Sequence, residues 1–194
     1  MTRVHSHDRK WKARAAERHC PVNVAACSRS CARAALPLGA KHHYEELLRI
    51  ERNDHIALGM LITGYIELRR FDDARKLIAE REEDRGTHLR YGEMVRRYLL
   101  GEQGPTLWEA MKRALWANQH VPKLLDNPKT EVVRSPFGVS RGGADEAADY
   151  VEVSHRLWDA YPKVKRVLIA GSDDLLPEVE FEKQQQIRKW RGEL

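Results

Sequence analysis

The residue types best able to hold a metal ion cluster near the start of the chain: His5, His7, His19, Cys20, Cys27 and Cys31. Imidazole nitrogens and thiolates are the ligands of structural zinc, which takes four of them in a tetrahedron. These cysteines are spaced C-x6-C-x3-C, without the C-x2-C knuckle that brings two thiolates to one ion. The other chemistries leave equally little. There is no Walker-type glycine loop, no G-x-S-x-G elbow and no H-E-x-x-H pair. Val167-Leu168-Ile169-Ala170-Gly171 has the composition of a strand entering a nucleotide-binding turn, but no G-x-G-x-x-G follows. His42, His43 and His120 remain as acid-base candidates, each placed at a helix end or in a loop. The expectation is a non-enzyme with no catalytic residue, cofactor or metal.

The same N-terminal stretch is basic. Residues 1–41 carry nine Lys/Arg against Asp8 and Glu17, a surplus of seven positive charges in a chain whose net charge is +5. The sequence pI of 9.2 is therefore a property of this segment. Lys10, Lys12, Arg14 and Arg18 could neutralise phosphates while Trp11 stacks on a base, so binding nucleic acid through the arm is the alternative function. The Arg-rich, acid-poor composition also fits an organelle transit peptide. No apolar period is sustained here, and Pro21 and Pro37 interrupt what there is. Residues 1–41 read as a disordered arm. All three cysteines lie within it, an odd number for a disulfide framework, and a cytoplasmic protein is the expectation. No run approaches the roughly 18 apolar residues of a membrane span.

From residue 42 the helical period takes over. Tyr44, Leu47 and Leu48 make one stripe, and Leu58, Leu61, Ile62 and Tyr65 make the next, over residues 55–68. Further helices are expected over 71–82, 87–100, from Pro105 onward, and 145–161. Pro128, Pro136 and Gly138 mark residues 127–141 as a loop crossing the stack. Residues 163–171 read as a short final helix and 171–194 as a charged, loosely attached tail.

Two of these helical pairs can be laid over one another. Leu58, Leu61, Ile62 and Tyr65, then Phe71, Ala74 and Ile78, fall at the spacing of the tetratricopeptide signature, with Leu58 and Ile62 in place of its tryptophan and glycine. Leu107, Ala110, Ala114, Ala117 and Pro122 match the closing helix of a second copy. Ala74 and Ala110 stand 36 residues apart, against a repeat of about 34. The chain thus resembles a tetratricopeptide-repeat protein. The run from Ala114 through Asn118, His120, Val121 and Pro122 to Leu125 is more specific. With Gly143, Asp145, Glu146, Ala147, Tyr150 and Trp158, it is similar to a group that includes many small bacterial proteins and the animal suppressor-of-tumorigenicity family.

The resemblance implies an all-α, α-solenoid array over residues 42–170, acting as a protein-protein interaction scaffold without catalytic residues. Such stacks bind a protein or peptide on the concave surface made by the first helix of each pair. In this sequence the outward residues there would be His55, Gly59, Thr63, Glu67 and Arg70, followed by Glu93, Arg96 and Arg97, a groove of mixed charge. The Lys/Asn pattern that clamps a C-terminal carboxylate is not evident.

Overall fold

The computed structural model describes residues 38–51, 54–81, 86–134 and 138–193. The metal-type cluster and nearly all of the expected arm lie outside these residues. Every regular element among the described residues is a helix, which makes the fold all-α: α1 (Leu38–Ile50), α2 (His55–Glu67), α3 (Phe71–Ala79), α4 (Thr87–Leu99), α5 (Pro105–Ala117), α6 (Val121–Asp126), α7 (Ala144–Ala160) and α8 (Pro162–Trp190). Helix α1 starts at Leu38, four residues before the helical domain was expected to begin at residue 42.

Helix α2 begins where Asp54 Oδ1 accepts from the amides of Ile56 (3.0 Å) and Ala57 (2.9 Å), satisfying two of the donors an open helix start leaves over. It stops at Arg69, whose φ of 55° lies in the left-handed region. The Arg70 amide then reaches back to Tyr65 O (2.7 Å) and that of Arg69 to Ile66 O (3.0 Å), a Schellman closure built without glycine. Every residue from Ala57 to Ile66 is buried. A helix apolar on all sides belongs in the centre of a fold, with neighbours all round.

Those neighbours are α1, α3, α4 and α7. Two glycines set the α2–α4 approach. A Cβ added at Gly59 would lie 2.0 Å from His88 Cδ2, and one at Gly92 would lie 2.3 Å from Ile62 Cγ2. Since residue 59 meets 88 and residue 62 meets 92, the two helices run in the same direction. Helix α7 closes on both: the Tyr150 ring lies 5.2 Å from those of His88 and Tyr91, and Trp158 packs edge-on to Tyr150 at 6.4 Å. On the outer side of α7, Arg134 from the preceding loop pairs with Asp149 and Glu152.

Helix α8 differs most from expectation. It runs unbroken from Pro162 to Trp190 and buries Val164, Leu168, Gly171, Ser172, Leu175 and Val179. The expected end at residue 171 and the loose tail beyond it are both replaced by packed helix, at least as far as Val179. Gly171 reads as a stop in the sequence but works as a notch, because Met111 Cε would lie 2.4 Å from a Cβ there. Further on, Lys112 Nζ bonds Glu178 (2.7 Å) and Glu182 (2.6 Å), and Lys183 lies 5.8 Å above the Trp116 ring. Helices α5 and α8 therefore run side by side in the same direction. Asp173, Asp174 and Pro177 are exposed, so the bond that a mid-helix proline omits falls on the solvent side.

Candidate interaction cleft

The polar residues that the sequence singles out most sharply turn inward. Asn118 ends α5 in extended conformation and is completely buried. Its Nδ2 donates to Gly143 O (2.9 Å) and Glu146 Oε2 (3.2 Å), its Oδ1 accepts from the His120 amide (3.0 Å), and its backbone oxygen accepts the Tyr91 hydroxyl (2.7 Å). Glu146 Oε2 also accepts the Gly142 amide (2.6 Å). Asp145 Oδ2 accepts the amide of Ser140 (2.9 Å), and this backbone bond above all holds its carboxyl below the usual aspartate range. Burial pushes the Tyr91 and Tyr150 hydroxyls far up, keeping both neutral. Asn118, Glu146 and the Tyr91 hydroxyl tie α4 and α5 to the start of α7, Asp145 holds the loop before α7, and the Tyr150 hydroxyl is buried without a hydrogen-bond partner among the described residues.

The eight residues expected on a concave surface divide into two sets. On α2, His55 is exposed at the first turn, but Gly59 and Thr63 are buried, with His88 seated against Gly59. Glu67 is half-buried beside Arg156 and His155 of α7, and desolvation, only partly offset by those two residues, raises its pKa. Arg70 pairs with Asp73 (2.6 Å) and covers the Tyr65 ring at 5.2 Å. The middle of the expected surface is thus filled by His88 and α7. The sequence could not reveal this, because Gly59 and Thr63 are as compatible with an open groove as with a packed seam.

On α4, Glu93 accepts from Arg96 (2.8 and 3.0 Å) and from Arg97 (2.6 Å), and Arg97 also reaches Glu102 (3.1 Å). Burial alone would raise the Glu93 pKa, but the hydrogen bonds from the two guanidinium groups prevail and hold it below the glutamate range. Arg96, only 7% exposed, is inside the fold and not on a binding face.

Glu93 and Arg97 instead line a cleft of about 280 Å³ between α4 and α5. Arg90 completes the α4 side. Pro105, Thr106, Glu109, Ala110 and Arg113 form the α5 side. Ala110 is buried, whereas Glu109 and Arg113 are exposed. Arg113 makes no ion pair with any described residue. Arg90, Arg113 and Glu109 were missed in the sequence, although residues 90, 93 and 97 and residues 106, 109 and 113 recur at helical spacing and could have been read as two facing polar stripes. Thr106 is the single hydroxyl in the lining, and it donates to Gln103 O (3.1 Å) with no base among its partners.

Among the described residues no three His, Cys, Asp or Glu side chains gather closely enough to hold a metal ion. No described helix is long and apolar enough to cross a membrane. Comparison with protein-family models, with curated proteins and with solved structures found no match.

Proposed function

We propose that the protein is a non-catalytic interaction module, a short tetratricopeptide-like stack that captures a protein or peptide segment in the cleft between α4 and α5. Support for the stack comes from the pairs α2/α3 and α4/α5, whose leading helices begin 32 residues apart, at His55 and Thr87, and lie side by side in one direction. In this reading α7 lies against the leading helices and fills the surface on which such stacks usually bind. The cleft carries the functional reading: it is a lined cavity with charged side chains at the surface, while Asn118, Asp145 and Glu146 of the motif segments are engaged in internal hydrogen bonds. The scaffold role expected from the sequence is kept, but its site moves from the face of α2 to the α4–α5 groove.

The test is a bait carrying Glu109→Lys and Arg113→Glu, two exposed positions where substitutions usually shift stability by no more than about 0.5 kcal/mol. Melting and circular dichroism should match the parent, while proteins co-purified by the parent from lysate of the source organism should be lost. Identical recoveries from both baits would remove the cleft from the proposal.

A further inference from the structure

We infer that the cleft between α4 and α5 is selective for acidic peptide segments, taking a carboxylate side chain against Arg113. This rests on the cleft being the interaction site and adds the chemical class of what enters it. Three guanidinium groups, Arg90, Arg97 and Arg113, line the cavity against two carboxylates, Glu93 and Glu109. Glu93 is already committed, since both of its oxygens accept from Arg96 and one also accepts from Arg97. Arg97 is likewise engaged on two sides, by Glu93 and Glu102. Arg113 is left without an ion-pair partner among the described residues, exposed on one wall of the cavity. A guanidinium offers parallel N–H donors that match the two oxygens of a carboxylate, so an incoming Asp or Glu side chain supplies what Arg113 lacks.

The size of the cleft suits side chains. At about 280 Å³ the cleft falls just below the range of about 300–1,000 Å³ typical of cofactor and drug-sized ligands. It has room for one or two side chains of a chain passing over it. Glu109 lies one helical turn before Arg113 and opposes a second negative charge. Its neutralisation should strengthen acidic ligands, the opposite of what loss of Arg113 does.

The direct experiment is fluorescence anisotropy of fluorescein-labelled hexaglutamate titrated with the full chain at low salt, with hexalysine as a second probe and inorganic phosphate as competitor. Saturable hexaglutamate binding is expected, weakened about tenfold or more by Arg113→Glu and tightened about two- to threefold by Glu109→Gln. Arg188→Glu, an exposed reversal on α8, should leave it unchanged, and hexalysine should not bind. Equal weakening by Arg113→Glu and Arg188→Glu, or no weakening by Arg113→Glu, would assign the attraction to overall charge or to the basic N-terminal segment and overturn the inference. Competition by phosphate at concentrations comparable to the peptide's would overturn it as well, making the cleft a general anion site. If hexaglutamate fails to bind while the Glu109→Lys/Arg113→Glu bait still loses partners, the acidic specificity is wrong and the cleft stands. If neither is seen, both fall.

Discussion

The side-chain amide of Asn118 donates to Glu146 Oε2 at 3.2 Å, across 28 residues of chain and in the interior of the protein. The same amide nitrogen reaches Gly143 O, and the same carboxylate oxygen takes the Gly142 amide. Two segments that the sequence marks as motifs, the one around Asn118 to Pro122 and the one from Gly143 to Tyr150, are therefore two halves of one clasp. Their job is to hold α7 against α4 and α5, which is why they stand out without belonging to any reactive site.

Removing the amide should loosen this clasp. Asn118→Ala leaves the part-buried His120 amide without its partner, at about 1 to 3 kcal/mol where water cannot reach it, and takes one of two donors from the Gly143 carbonyl, which keeps the Ala147 amide. Urea denaturation should register a clear loss, and Asn118→Asp should lose more because it sets a second carboxylate beside Glu146. A variant that unfolds at the parent's midpoint would show that the clasp is incidental.

Glu67 and Glu93 should give opposite pH signatures. The pKa of Glu67 is raised above its ordinary value of 4.5, so its contribution to stability is fully present below that value and is lost as pH rises through the folded pKa. Glu67→Gln should therefore raise the melting temperature at pH 7 and change it least in acid. Glu93 is depressed below 4.5, so it stabilises above that value and its contribution fades as pH falls through the folded pKa. Glu93→Gln should cost about 1 to 2 kcal/mol near neutrality, discounted for its partial exposure, with the difference shrinking toward acid. Thermal melts of the two variants and the parent from pH 3 to 8 check both signs; parallel curves would contradict the burial assigned to these carboxylates.

How far the sequence could be read depended on what each residue type encodes. The helix starts at His55, Phe71, Thr87 and Pro105 were all legible, because capping residues, the proline and the apolar period are local signals. What could not be read was which face of α2 is open. That depends on α7, which follows about eighty residues later, and on whether small residues such as Gly59 and Gly92 leave room for a groove or for a neighbouring helix. The extent of α8 was hidden for a related reason: Gly171 and Pro177 are local stop signals, and only the contact with Met111 turns the glycine into a packing position. The cleft itself needed two helices placed side by side before Arg90 and Arg113 could be seen to share it.

If partners enter between α4 and α5 and not over α2, only the first of these faces should touch them. The most direct measurement is site-specific photo-cross-linking in lysate of the source organism, with benzoylphenylalanine placed in turn at Glu109 in the cleft and at His55 on the exposed first turn of α2. Discrete adducts are expected from Glu109 and none from His55. Adducts from His55 with none from Glu109 would contradict it and return the binding surface to the face of α2.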